Sequence, residues 1–201
     1  MSQARRQAER LILRRWQPAD LEPFARMNAD ERTMRFMPAV LTREETRELM
    51  ARFEVHHATH GFGVWALEAR DSGVLVGYTG LQWVSFEAAF TPAVEIAWRL
   101  APEFWHRGYA TEAAQAALAD GFERLELGRI LAFTVPANQP SRAVMDRIGM
   151  TREQALDFDH PRLPADHALS RHVVYALTRD AWRLARAADA TGARDANPVM
   201  R

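Results

Sequence analysis

The sequence predicts an α/β domain, a mixed and twisted sheet of about seven strands with helices on both faces. Three observations carry that expectation. Short β-favouring runs alternate with helical patterns along the whole chain. In the middle, a strand, a long helix and another strand follow one another, which calls for a parallel, right-handed crossover. Hairpin signals on either side of that unit call for antiparallel neighbours. No repeat or low-complexity linker interrupts the pattern. One domain is therefore expected over residues 9–186, with flexible ends at 1–8 and 187–201, the second of these having almost nothing to bury.

Element by element, Leu11, Leu13 and Trp16 suggest a first strand before Pro18, and Asp20 is expected to cap a short helix burying Leu21, Phe24 and Ala25. Thr42-Arg43-Glu44-Glu45 is a capping box, in which the threonine oxygen accepts from the backbone of Glu45 and the glutamate reaches back. It opens a helix that buries Thr46, Leu49, Met50 and Phe53 and ends near Gly61. Phe62 to Glu68 and Val74 to Val84 read as strands joined by the turn Asp71-Ser72-Gly73, and Val94 to Leu100 as a third. A regular helix is expected from Tyr109 to about Glu126, with Ala110, Ala113, Ala114, Ala117, Leu118, Gly121, Phe122 and Leu125 on one face. That face is mostly small, so the helix can lie close to a sheet. Ile130 to Val135 is the next strand, followed by a helix from about Gln139 to Ile148 that stops at Gly149. Thr151 to Phe158 and His172 to Thr178 complete the strands, before a short C-terminal helix.

Composition excludes several chemistries. The 201 residues hold 48% hydrophobic and 26% charged side chains, the balance of a globular domain with one well-buried core. Cysteine is absent, so no disulfide, thiolate nucleophile or cysteine metal site is possible. Lysine is absent too, which makes all 26 basic residues arginine and removes Schiff-base chemistry and the Walker-type phosphate loop. The formal net charge of zero argues against a nucleic-acid partner, since such binding needs a basic surplus. Arg5, Arg6, Arg10, Arg14 and Arg15 read as a solvated tail running into a strand with exposed arginines. No run is apolar enough to span a membrane, and Met1 to Arg10 has no apolar segment behind it, so the cytoplasm is the expected location.

The strongest chemical signal is the junction from Glu103 to Thr111, which contains Trp105-His106-Arg107-Gly108-Tyr109-Ala110. A strand ends, a turn follows, and a helix begins whose first N–H groups lack intrahelical partners. The helix dipole adds about half a positive charge there. A pyrophosphate fits such a site without a dedicated side chain. Gly108 lets the backbone approach closely, and Ala110 keeps the wall low.

This segment resembles the acetyl-CoA signature of the Gcn5-related N-acetyltransferase (GNAT) superfamily, Gln/Arg-x-x-Gly-x-Gly/Ala, with tryptophan departing from the first position. Tryptophan there is similar to the RimJ/RimL-like branch, which acetylates protein N-terminal amines or other primary amines. Further similarity covers roughly residues 9–180. Glu9 to Arg14 looks like the opening strand, and Met34-Arg35-Phe36-Met37 like a run between the first helices. Val94-Glu95-Ile96-Ala97-Trp98-Arg99-Leu100 is similar to the strand whose backbone pairs with pantetheine. Asn138-Gln139-Pro140-Ser141 through Gly149-Met150 resembles the later cofactor motif.

The resemblance implies a GNAT fold and an acetyl-CoA-dependent transferase acting on a primary amine by direct attack in a ternary complex. The cosubstrate is acetyl-CoA and no metal is implied. Its cofactor-binding residues would be Trp98, Leu100, His106, Arg107, Gly108, Tyr109, Ala110, Thr111, Asn138 and Ser141. Asn138 is also a good helix N-cap, and the two roles can coexist. Ser141 would protonate the departing thiolate, with Tyr109 or a water as competitors. Glu95 is the candidate general base, because an amine arrives protonated at neutral pH and must lose a proton before attack. A water chain is its rival. The acceptor is either a protein N-terminus or a small amine such as an antibiotic, polyamine or amino acid. A non-catalytic CoA-binding module remains the alternative from another class, and the chain is expected as a monomer or homodimer.

Other residues weigh less. His56, His57 and His60 lack a further ligand nearby, so they are expected on a helix surface rather than on a metal. Asp159-His160 and Asp166-His167 bracket a loop with Pro161 and Pro164 that, by the same resemblance, would border the acceptor site; they either bind or orient the amine or are two solvated pairs on a long loop. Trp65, Trp83, Phe86 and Phe90 either line an acceptor groove or pack in the core.

Overall fold

Strand order follows from where the chain puts its hairpins and its central crossover. A computed structural model describes residues 6–195. Its strands are β1 (Arg6–Gln7), β2 (Leu11–Arg14), β3 (Val64–Ala69), β4 (Leu75–Trp83), β5 (Val94–Leu100), β6 (Arg129–Thr134), β7 (Thr151–Arg152), β8 (Phe158–Asp159) and β9 (Arg171–Thr178). They form one sheet in the order β1-β2-β3-β4-β5-β6-β9-β7, with β8 also on β9. The β5–β6 pair is parallel, as the crossover requires. The other pairs are antiparallel.

The sheet has nine strands where about seven are expected. One extra is β1, inside the stretch read as a flexible N-terminus. The other arises because the strand expected over Thr151 to Phe158 breaks into β7 and β8 around a 3-10 turn at Gln154–Leu156. The break has a physical cause. Asp157 is drawn out of a ladder position by Arg152 and by the backbone N–H of Val174, which donates to it at 3.2 Å.

Helices cover both faces. On one side, α4 (Tyr109–Ala119) and α5 (Gln139–Arg147) lie over Ile96, Ile130, Ala132 and Tyr175. Ala113, Ala114 and Ala117 of α4 are at most 1% exposed, so small side chains do let this helix approach the sheet. On the other side, α1 (Leu21–Ala29) and α3 (Arg43–His60) pack Phe24, Met27 and Phe53 against Val64, Ala66 and Tyr78. The short α2 (Glu31–Met34) follows α1. The helix expected to run to Glu126 changes pitch at Asp120, where one wide π-type turn spans Asp120–Arg124. It places Phe122 at 1% exposure against Trp182, a burial contributing about 1.5–3 kcal/mol.

α3 starts at Thr42 with the expected capping box and stops at Gly61, whose φ of +72° is the left-handed conformation glycine tolerates. The final helix, α6 (Arg179–Asp195), is long rather than short and runs nine residues past 186, where the ordered domain was expected to end. Residues 1–5 and 196–201 of the expected flexible ends lie outside the described residues. Among the described residues, no helix is long and apolar enough to cross a membrane.

Three local expectations change in the folded chain. Asp20 does not cap α1 with its side chain; its carboxylate receives both Nη groups of Arg14, at 2.7 and 2.8 Å. Arg14 is 3% exposed, not a solvated arginine, and its Nε donates to Glu68 at 2.5 Å. Of the helix histidines, His60 is exposed as expected, but His56 and His57 are not surface residues. His57 is buried against Val64 O and the Trp65 ring, and burial pushes its pKa down to about 4. His56 holds Phe62 O at 2.8 Å through Nδ1 and accepts from the Trp83 N–H at 3.1 Å through Nε2, which defines its tautomer. Both rings tie the end of α3 to the sheet.

Candidate active site

The site begins where β5 and β6 part. β4 and β5 stay in register over their whole shared length, from Gly77 opposite Leu100 to Trp83 opposite Val94. The β5–β6 ladder, by contrast, has one register pair, Glu95 opposite Leu131. Beyond it, no further register pair joins the two strands, so the edge of β5 between Ile96 and Leu100 faces the gap without a strand partner. Each strand then leads into a helix from its C-terminal end. The N-termini of α4 and α5 therefore both stand at the mouth of the opening, the position where α/β sheets collect ligands.

At the first of these N-termini, Gly108 is the N-cap residue with φ +78°, and no side chain caps the helix. The uncapped N–H groups and the dipole are thus available to an anion. His106 is itself left-handed at φ +60°, and His106, Arg107 and Gly108 are exposed, while Tyr109, Ala110 and Thr111 are half-buried. Trp105, at the position that departs from the family signature, donates its indole N–H to Leu100 O at 2.8 Å and so ties the turn to the end of β5.

What braces this turn comes from a distant part of the chain. Arg10 donates from Nη1 to Arg107 O at 2.9 Å and from Nε to Glu112 at 2.8 Å, and its guanidinium lies 4.8 Å over the Tyr109 ring. Its backbone N–H reaches the other Glu112 oxygen at 2.6 Å. An acid in the first turn of α4 would repel a phosphate, and Arg10 neutralises it. The two residues are 102 positions apart, so no local spacing links them.

At the second N-terminus, Asn138 is the N-cap of α5. Its Oδ1 accepts from Ser141 N at 3.3 Å, and its Nδ2 donates to Thr134 Oγ1 at 2.9 Å. This is the structural role read from the sequence. Ser141 is half-buried at the first turn, and its Oγ has no hydrogen-bond partner among the described residues. Trp98 is half-buried beside the α4–α5 core, whereas the Leu100 side chain is buried at 6% exposure, so Leu100 faces the gap through its backbone alone.

Glu95 lies on the opposite face. Its neighbours Val94 and Ile96 are buried under α4, and strand alternation turns Glu95 the other way. Gln82 Nε2 donates to its Oε1 at 3.0 Å. Burial pushes its pKa up to about 7, with the Gln82 hydrogen bond and the nearby Arg162 charge opposing the rise. Glu95 and Ser141 therefore approach the opening from opposite sides of the sheet rather than as a contacting pair.

The remaining candidates divide. Phe86 and Phe90 join Phe133, Phe158, His160 and His172 in a cluster of rings beyond Glu95. Trp65 is core at 4% exposure, and Trp83 is 40% exposed beside Phe62. Asp159 faces Arg171 at 3.6 Å, while His167 accepts the Leu169 N–H at 3.1 Å and shapes its own loop. Among the described residues, no group of three or more His, Asp or Glu side chains is placed to hold a metal ion.

Comparison with known proteins points the same way. The profile of the acetyltransferase (GNAT) domain matches residues 10–151. The uncharacterized N-acetyltransferase YnaD of Bacillus subtilis is 29% identical over 175 residues, which cover 87% of this chain and 96% of that one. A GNAT-family acetyltransferase from Bacillus anthracis superposes with a TM-score of 0.72 at 29% identity, over 88% of this chain and 99% of the other. The fold alone is shared with RimL, a ribosomal alpha-N-protein acetyltransferase solved with coenzyme A, at a TM-score of 0.70 and 18% identity over 89% and 99% of the two chains.

Proposed function

The chain belongs to the GNAT acetyltransferase family, and from that premise we propose that it acetylates one primary amine by direct attack on acetyl-CoA held in the β5–β6 opening. The single observation behind the cofactor assignment is the uncapped N-terminus of α4 at the mouth of that opening. Residues His106 to Thr111 fit a pyrophosphate through backbone N–H groups, with Arg10 cancelling Glu112, the acid in the helix's first turn. The unpaired β5 edge from Ile96 to Leu100 fits an extended amide-bearing arm, with Trp98 beside it. Asn138 holds the α5 N-terminus, and Ser141 stands in its first turn.

Acetyl-CoA supplies the acyl group as a thioester. On the protein side, Glu95 takes a proton from the incoming ammonium, and its pKa of about 7 makes it half-ionised at neutral pH, where a base works best. The amine nitrogen then bonds to the carbonyl carbon, the carbon–sulfur bond breaks, and the nitrogen gives up its second proton. N–H groups of the β5 edge stabilise the charge that develops on the carbonyl oxygen. Ser141 Oγ donates a proton to the departing sulfur and regains the second proton that the nitrogen sheds, while Glu95 releases the first to solvent. No covalent acyl-enzyme is needed, consistent with a chain that has no cysteine.

Calorimetry with acetyl-CoA and with ATP, followed by CoA release on a panel of N-terminal peptides and small primary amines, tests the reading. The expected result is acetyl-CoA binding without ATP binding, and CoA release with at least one amine. Binding without turnover on any amine would identify a non-catalytic CoA module instead.

A further inference from the structure

Every face of the central sheet described so far is covered by a helix except one. The cluster around Leu131, Val174 and Ala176 is closed by Phe90, Phe133, Leu156 and Phe158, and none of these belongs to α1–α6. Phe86, His160 and His172 extend it. Ring centroids lie 4.7 Å apart for Phe86 and His160, 5.4 Å for Phe133 and Phe158, and 5.1 Å for His160 and His172. All six rings are half-buried and none is fully enclosed, so they form a wall beside the sheet rather than a sealed interior.

The wall is continuous with the candidate base. Leu131, at its floor, is the register partner of Glu95, and Phe133 lies two residues further along the same face of β6. A molecule resting on the rings would therefore present its nearer end to Glu95.

Charge around the wall narrows the occupant. Asp157 is held by Arg152 and lies 3.8 Å from Arg171, and Asp159 faces Arg171 at 3.6 Å. Glu87 is exposed to solvent on the outer loop. At the rim, Arg162 is fixed by Ser85, donating from Nη2 to O at 2.5 Å and to Oγ at 2.9 Å, with its guanidinium 5.9 Å from the Phe86 ring. The two histidines are pushed below their ordinary pKa, mainly by burial, and stay neutral at pH 7. One ammonium finds Glu95 here, and the charge acting on Glu95 from the rim is the Arg162 cation, which repels a second.

We infer that the ring wall is the acceptor subsite and selects a singly charged primary amine with an aromatic or large apolar body, while disfavouring polycations such as polyamines and aminoglycosides. This rests on the acetyltransferase reading above and specifies its acceptor. A free arylalkylamine and a peptide beginning with phenylalanine carry the same chemistry from two sources.

The test measures kcat/KM by CoA release for phenethylamine, a phenylalanyl peptide amide, spermidine and kanamycin at one ionic strength. One or both aromatic monoamines should exceed both polycations by about tenfold or more, the scale expected for stacking on such rings. Comparison of the two aromatic arms tells free amine from peptide. Phe86→Ala, on an exposed loop, should raise KM for the better aromatic amine with kcat little changed, and Phe86→Tyr should restore it. Arg162→Gln should improve spermidine several-fold without improving phenethylamine. Equal or better use of polycations overturns the inference alone, as does acetyl-CoA binding with no turnover of either aromatic amine. A selectivity indifferent to both variants overturns it too. Failure to bind acetyl-CoA removes the parent reading, and this one with it.

Discussion

Replacing Glu95 by Gln separates the two consequences of a carboxyl held at a pKa of about 7. Moving the midpoint from 4.5 to about 7 means that the site favours the protonated form by about 3 kcal/mol. The folded chain then binds more protons than the unfolded one between those values, so stability falls as pH rises through that window. Gln cannot ionise, and its carbonyl oxygen still accepts from Gln82. At pH 8 the variant should therefore be more stable than the parent, by at most about 3 kcal/mol, and at pH 4 the two should match. In a chain of this size that corresponds to a rise in Tm of up to about 10 °C. His57 does not blur the comparison. Its lowered pKa costs stability as pH falls from 6.5 toward 4, equally in both proteins, and cancels in the difference. Activity should move the other way, with kcat/KM lower by about 100-fold or more and without the rise through pH 7 seen in the parent. Thermal melts and pH–rate profiles of the two proteins are the assay. Parallel Tm–pH curves would refute the raised pKa, and an unchanged pH–rate limb would refute Glu95 as the base.

Two further substitutions probe the scaffold of the site. Gly108→Ala places a Cβ at φ +78°, 3.4 Å from Arg10 Nη2, so calorimetry should show weaker acetyl-CoA binding together with a stability loss of about 1–2 kcal/mol. Arg14→Leu leaves Asp20, itself 4% exposed, without its partner, and urea denaturation should show a loss of about 3–5 kcal/mol with little change in KM for acetyl-CoA.

Elements whose causes are local were legible in advance. The capping box at Thr42, the left-handed stop at Gly149 and the alanine face of α4 each depend on residues within one or two turns. Asn138 was readable as an N-cap for the same reason. Elements with distant causes were not. The interruption between β7 and β8 depends on Asp157 meeting Arg152 and the β9 backbone, and the burial of Arg14 depends on Asp20 and Glu68 arriving together. His56 and His57 of α3 look like surface residues until Phe62, Val64 and Trp83 supply their partners.

The same division runs through the site. Residue order alone determined the strand–turn–helix junction at Gly108, the motif from Asn138 to Gly149, and the absence of any thiol or lysine chemistry, because these are properties of adjacent residues and of composition. Only the tertiary structure decided where β5 leaves β6, that Arg10 steadies the turn from 97 residues away, and that Glu95 lies on the face opposite Ser141. It also decided that six rings from separate segments stand beside Glu95 with Arg162 at their rim. Backbone preference acts over a few residues, whereas a carboxyl's pKa and a subsite's charge depend on whatever the fold brings within a few ångströms, and that is not written in neighbouring letters.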